Sequence, residues 1–147
     1  MARNVAKLNL DEGGLETLQG GSRHLFLDSR QTAGSVYLVE GRMEPGDAVP
    51  PHVHTHEDEI FHVLEGEVEL MSDGEWQPGR AGDIIFLPRG IPHAIRVPEG
   101  GGPARVLNYV FPGGNFEAMF RAFEARGVGD NLSARAEVAA EFGVTFL

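Results

Sequence analysis

PHVHTHEDEIFHVLEG (51–66) is answered further along by GDIIFLPRGIPHAI (82–95), and these two stretches decide how the chain is read. Of six histidines, five lie between His52 and His93, and only His24 stands apart. Scattered surface histidines would not cluster in this way. In a strand, positions i and i+2 face the same side, about 6.6 Å apart at Cα, so His52 and His54 aim two imidazoles at a common point. The polar THED segment (55–58) turns the chain back, and Glu59 opens the next strand with a carboxylate. Pro88, Gly90 and Pro92 form a rigid bend that returns His93 to the same interior. Three imidazoles and one carboxylate make a mixed nitrogen and oxygen donor set suited to a transition metal. Calcium and magnesium prefer all-oxygen shells.

The texture around these stretches sets the fold class. SVYLVEGRM (35–43), the extended VPPHVHTH (49–56), a long EIFHVLEGEVELM strand (59–71), a buried strand from Asp83 to Pro88, His93 to Val97 and ARVLNYVF (104–111) are short apolar or alternating runs. Gly and Pro separate them, and Asp73-Gly74 is a hairpin signal. Such repetition predicts an all-β sandwich or barrel. Before it, residues 1–33 are mixed and polar, with Gly13-Gly14 and Gly20-Gly21 as breakers and HLFLD (24–28) as a short strand. After it the period changes. Phe116, Met119, Phe120 and Phe123 recur at helical spacing, with Asn115 as N-cap, and a second helix runs from about Ser133 to Gly143. This stripe is expected to pack as a lid over the β-domain.

Composition narrows the function classes. The 147 residues fit one domain, 1–147, with a β-core at about 34–111 and a helical segment at about 115–143. A formal net charge of −10 leaves no basic stripe for nucleic acid. There is no cysteine, so neither disulfides nor thiolate ligands are available. MARNVAKLNL has no apolar leader and no later run reaches membrane-spanning length, so no membrane association and a cytoplasmic location are expected.

The spacing of these residues resembles the two cupin motifs. Gly46, His52, His54, Glu59 and Gly66 match G-x5-H-x-H-x3–4-E-x6-G, with four residues before the glutamate. Gly82, Pro88, Gly90 and His93 match G-x5-P-x-G-x2-H-x3-N, with Val97 where the family has asparagine. More narrowly, HEDEIFHVLEGEVEL (56–70) and FPGGNFEAMF (111–120) are similar to small cupins of the quercetin dioxygenase-like type. The resemblance implies an antiparallel jelly-roll β-barrel with C-terminal helices, a homodimer, and His52, His54, Glu59 and His93 as metal ligands. One divalent transition metal per chain is then expected, with iron, manganese, nickel, cobalt, copper and zinc all open. The leading expectation is a metal-dependent oxygenase of a small organic substrate, with Glu59 as ligand or as catalytic base. The alternatives are an oxygen-independent isomerase, lyase or decarboxylase, and a non-catalytic small-molecule binder.

Neighbouring residues divide less sharply. His56, in the turn, is expected to face solvent or support the ligands, and His62 to point outward. Glu57 and Asp58 read as a solvated turn, Asp83 as a turn residue, and Glu65, Glu67 and Glu69 as a solvent-facing edge. Phe61, Tyr37, Phe86 and Tyr109 are candidates to line the pocket, and Arg89 and Arg96 to receive an anionic substrate.

Overall fold

The structure is a computed structural model that describes residues 4–18 and 22–147, so the Gly20-Gly21 breaker lies outside the described residues. In chain order the β-strands are β1 (Glu16–Leu18), β2 (Arg23–Leu27), β3 (Tyr37–Met43), β4 (Ala48–His54), β5 (Asp58–Glu65) and β6 (Glu67–Ser72). They continue with β7 (Glu75–Arg80), β8 (Ile84–Leu87), β9 (His93–Arg96), β10 (Ala104–Phe111) and β11 (Val144–Phe146). The helices are α1 (Ser29–Thr32), α2 (Gly114–Ala125) and α3 (Leu132–Glu141). Asp28 caps α1 through a reciprocal bond pair with Gln31.

The strands form two open sheets. One has six strands in the order β1-β2-β3-β10-β5-β8, and the other has five in the order β11-β4-β9-β6-β7. This corrects the expected jelly-roll β-barrel, because among the described residues neither sheet closes on itself and no hydrogen-bonded ladder joins the two. The physical reason is visible at Gly66. EIFHVLEGEVELM is two strands rather than one long strand, with β5 in the first sheet and β6 in the second. Gly66 sits at φ 78°, and a Cβ there would lie 2.9 Å from Ala104 Cα and collide with the Pro103 carbonyl. The chain therefore crosses between sheets through a glycine turn, and the ladder stops there.

Alternation explains what each face does. Along β5, Glu59, Phe61 and Val63 are buried while Ile60, His62 and Leu64 are only partly so. Phe61 and Val63 meet Val68, Leu70, Ile95 and Val106 in an apolar layer between the sheets. The Asp73-Gly74 hairpin forms as read, with φ 49° and 88° at its two central residues, and joins β6 to β7. The strand expected to be buried at Asp83–Pro88 is instead the edge strand β8, with Ile84 68% and Phe86 60% exposed. Phe86 pairs with Ile60 and Ile84 with His62, so both share the outward parity of β5.

Pro50 and Pro51 cannot donate to a ladder, and the β4–β9 register shifts between Val49 and His52. Beyond that irregularity His52 stands directly opposite His93. The C-terminal helices close the other side. Phe116, Met119 and Phe123 of α2 and Val138 and Ala139 of α3 pack with Tyr37, Val39 and Val110. The N-cap of α2 is Gly113, which has no side chain to cap the helix; Asn115, expected there, is used elsewhere. After α3 the chain adds β11 beside β4, pairing Val144 with His54 and Phe146 with His52. Among the described residues no helix is long and apolar enough to cross a membrane.

Replacing Gly66 with valine should lower unfolding free energy by about 3 kcal/mol, from clash and left-handed backbone together. Gly74→Ala, at φ 88° with nothing within 4 Å of an added Cβ, should lose only about 1 kcal/mol. Urea unfolding of both variants measures the difference; equal losses would remove the role given to Gly66 in separating the sheets.

Candidate metal centre

Four side chains from three strands converge between the sheets. β4 supplies His52 and His54, β5 supplies Glu59 and β9 supplies His93, and each is less than a tenth exposed. One donor atom from each lies within 4.8 Å of the others. Glu59 Oε2 is 2.9 Å from His93 Nε2 and 3.3 Å from His54 Nε2. The His52 ring centroid is 4.4 Å from that of His93 and 5.0 Å from that of His54.

The hydrogen bonds behind the rings decide which nitrogens face inward. His52 Nδ1 lies 2.8 Å from the Pro50 carbonyl, which only accepts, so Nδ1 carries the proton. His54 Nδ1 likewise donates to Glu57 Oε2 at 3.1 Å. The inward Nε2 atoms of His54 and His93 and Glu59 Oε2 are buried and without any hydrogen-bond partner. Desolvated polar atoms left unpaired cost about 1–3 kcal/mol each. Two such nitrogens within 3.3 Å of the third atom, a carboxylate oxygen, are the inverse image of a cation. The residues present therefore fit a metal ion, and three nitrogens with one carboxylate suit a divalent transition metal.

The charges in the cluster are strongly coupled. Burial would raise the Glu59 pKa, but the adjacent His93 imidazole and the His54, His93 and His52 charges bring it down to about 2. Burial carries His52 down to about 4. For His54 burial acts downward too, but the Glu57 bond and the Glu59 and Glu57 charges outweigh it and raise its pKa. Glu59 is thus a fixed carboxylate.

Glu57 is the correction of most consequence. Read as part of a solvated turn, its side chain is fully buried, accepting from His54 Nδ1 and, at 2.7 Å, from Asn115 Nδ2. Asn115 Nδ2 also donates to the Phe142 carbonyl at 2.7 Å, so one amide ties α2 and the end of α3 to the ligand strand. A ligand histidine braced by a carboxylate holds its tautomer and ring orientation. Residue type does not mark Glu57, because the Asn115 amide that holds its second oxygen is 58 residues away. Asn108 on β10 was likewise missed. Its Nδ2 donates to Glu59 Oε1 at 3.1 Å, and its Oδ1 is buried without a partner.

Other expected site residues lie elsewhere. Asp58 accepts from the Arg89 backbone N–H and guanidinium at 2.9–3.2 Å, which clamps the bend before His93 and occupies Arg89 at the surface. Arg96 pairs with Glu69 at 2.7 Å and stacks over Trp76 at 3.7 Å. His56 is exposed and outside the cluster, and His62 faces outward from β5. Of the four candidate pocket aromatics, Phe61 lines the site, whereas Phe86 is exposed, Tyr109 is partly buried on the outer side and Tyr37 packs in the helical core.

His52, His54 and Glu59 line a recess of about 90 Å³, walled by Phe61, Phe116, Met119, Phe120, Phe123 and Phe146. The helical stripe that reads as packing is thus also a wall of the site.

The architecture and donor set define a metal-binding domain of two packed sheets with a helical cover. Residues 39–110 match the cupin domain family, and the chain belongs to the cupin superfamily. A quercetin 2,3-dioxygenase of Bacillus subtilis is 38% identical over 101 residues, covering 63% of this chain and 29% of that protein. The polyketide synthase CurC of Streptomyces cyaneus is 31% identical over 77 residues, covering 52% of this chain and 50% of that protein. The structure of the polyketide cyclase RemF from Streptomyces resistomycificus superposes with a TM-score of 0.58 at 25% identity, covering 74% of this chain and 80% of that one. The chain spans half or less of the length of these two curated relatives.

Protein purified without added metal and then titrated with zinc should take up about one equivalent, and His93→Ala less than a tenth of that. Glu57→Ala should keep the four donors but weaken zinc affinity by about 10–100-fold, measured by competition with a chromogenic chelator. Unchanged affinity would remove Glu57 from the support of His54.

Proposed function

We propose that the protein is a divalent-metal-dependent lyase or isomerase acting on a small enolisable carbonyl compound. The observation that carries this reading is the set of inward, unpartnered donor atoms on His54, Glu59 and His93, the first two of which line an aromatic recess. A divalent ion held by His52, His54, Glu59 and His93 would supply Lewis-acid polarisation of a substrate oxygen.

The chain's own residues supply the rest. Phe61, Phe116, Phe120 and Phe146 exclude water, which strengthens electrostatic interactions within the recess. Asn108 holds Glu59 through Nδ2 and leaves Oδ1 to accept a substrate hydroxyl proton. Glu59, kept ionised among the imidazoles, serves as a ligand in this reading, in place of the base role open to it from sequence. Glu57 holds the proton on His54 Nδ1 and so keeps Nε2 turned inward.

The relatives support the substrate class in common. Quercetin and polyketides both carry enolisable carbonyl groups, and one relative is named for a dioxygenation and another for a cyclisation. The oxygenase reading remains the alternative, favoured by the 38% identity to the Bacillus subtilis enzyme.

Zinc does not change oxidation state, so it separates the two. The zinc-loaded protein should convert members of a panel of 1,3-dicarbonyl compounds under argon, with no oxygen uptake when air is admitted. His93→Ala should lose about 100-fold or more of that rate. Turnover confined to iron- or manganese-loaded protein in air, with quercetin consumed and oxygen taken up in step, would instead establish the oxygenase.

A further inference from the structure

Beside the recess lined by His52, His54 and Glu59 lies a wider cleft of about 400 Å³. The two share Arg23, Val49, Phe61, Ile95, Asn108 and Arg135 in their walls. The recess alone, at about 90 Å³, has room for little more than a reacting fragment. Clefts of about 300–1,000 Å³ hold whole organic ligands. The wider space is therefore the one that can take the body of a substrate whose reacting oxygen faces the histidines.

Register within the six-stranded sheet measures how far this body reaches. Glu59, Val110 and Tyr37 stand side by side in one inward-facing row of β5, β10 and β3. Phe61, Asn108 and Val39 form the next row, and Val63, Val106 and Gly41 the one after. Two steps of about 6.6 Å along a strand put the Gly41 row about 13 Å from that of Glu59. Val39, Val63 and Val106 are buried, whereas Gly41 leaves its place in the row without a side chain and lines the cleft. Among the described residues, a Cβ built on Gly41 would meet only the Val106 carbonyl oxygen, at 3.9 Å. The β3–β10 register runs through Gly41 without a bulge, and its φ lies outside the left-handed region. Neither backbone nor packing thus requires glycine here. A glycine inside a strand that serves neither purpose marks a place where a ligand approaches closely.

The charged groups along the cleft show what kind of body it takes. Arg42 Nε donates to Glu40 at 2.8 Å, and Asp47 accepts from the Glu44 N–H at 2.8 Å. Arg135 donates to the Gly129 carbonyl at 2.6 Å and approaches Asp130 at 3.7 Å. Arg23 rests over the Phe120 ring, 4.6 Å from its centroid, and has contacts of its own. Cations and anions alternate along this wall, and each is engaged within the protein. A charged ligand would have to displace one of these contacts; a neutral one would not.

We propose that Gly41 is a specificity-determining residue, whose missing side chain admits the neutral, ring-sized body of the substrate. The reacting end follows the lyase or isomerase reading, on which this proposal rests, and the ring lies between Phe61, Val49 and Ile95 and the floor at Gly41. Gly41 touches no reacting atom. It sets the length and bulk of what the metal site can accept, from a position outside both metal motifs.

Neutral 1,3-dicarbonyl probes of two sizes test this: 2,4-pentanedione and 1-(2-naphthyl)-1,3-butanedione. Isothermal titration of wild type, Gly41→Ala and Gly41→Leu, each metal-free and zinc-loaded, gives the ratio of the two affinities. Zinc-loaded wild type should bind the naphthyl compound about tenfold or more tightly than 2,4-pentanedione. The ratio should fall by about threefold in Gly41→Ala and vanish in Gly41→Leu, as the added side chain fills the floor. Urea midpoints of both variants should not fall, since a strand position favours a side chain over glycine. A glycine needed only for structure would instead lose stability, and both probes together. The wild-type ratio depends on no variant, and Gly41→Ala stands in where the larger side chain prevents folding. No size preference in wild type, a preference intact in the largest variant that folds, or equal loss of both probes overturns the assignment. Zinc uptake on the same samples keeps the two readings apart. A naphthyl preference in protein that takes up no zinc would refute the metal enzyme and leave the role of Gly41 standing. Zinc uptake with both probes bound alike would do the reverse.

Discussion

A carboxylate and three imidazoles buried within 4.8 Å of one another are the constraint that the rest of this molecule accommodates. Polar groups of this kind are stable away from water only if their charge and hydrogen-bonding capacity are met. The outward-facing half is met by protein for three of the four, by the Pro50 carbonyl for His52, Glu57 for His54 and Asn108 for Glu59, while His93 Nδ1 is buried without a partner. The inward half of His54, His93 and Glu59 is not. That asymmetry distinguishes the cluster from a structural ion-pair network, in which donors and acceptors are paired off. Lone pairs facing one another have no mutual attraction, and a cation is the species that reconciles them.

The same constraint explains why the β-domain needs its C-terminal cover. Glu57 is a second buried carboxylate, and it is supported by Asn115 at the start of α2, which also holds the carbonyl of Phe142 after α3. β11 then pairs with β4 and lays Phe146 against the His52 ring, 5.4 Å between centroids. Helices that read as a lid are therefore coupled to the orientation of a ligand imidazole. A disturbance at the end of α3 reaches His54 through three hydrogen bonds and two side chains, Asn115 and Glu57.

Legibility in the sequence follows the range of the interactions. His52, His54, Glu59 and His93 could be named as a group because strand parity and a proline bend act over a few residues. Parity also placed Phe61 inward and His62 outward. The Asp73-Gly74 turn and the periodic stripe of α2 are equally local signals. Gly66 misled the reading of β5 and β6 as one strand, since the carbonyl that forbids a Cβ there belongs to Pro103. Whether two sheets share a ladder depends on such crossings, which is why closure into a barrel was expected and not found. Glu57 looked solvated because its partner comes from a helix, and β8 looked buried because apolar composition does not reveal an edge position.

Arg23 and Arg135 illustrate the limit most clearly. Neither lies near a motif, and each alone is an ordinary surface-type residue. The arginines that sequence proximity favoured, Arg89 and Arg96, flank His93 but turn away to Asp58 and to Glu69 and Trp76. Proximity along a strand says little about a cleft, because alternate residues leave on opposite faces. Three of the four candidate donors come from the paired strands β4 and β9, where backbone geometry fixes their spacing, and the fourth from β5 of the facing sheet. These two arginines line the recess from β2 and α3, elements that meet only when the helices fold back over the sheets. Chemistry on the ligand strands can thus stay fixed while the covering elements change what is admitted to it. The donor set alone therefore identifies a reaction type more readily than a substrate.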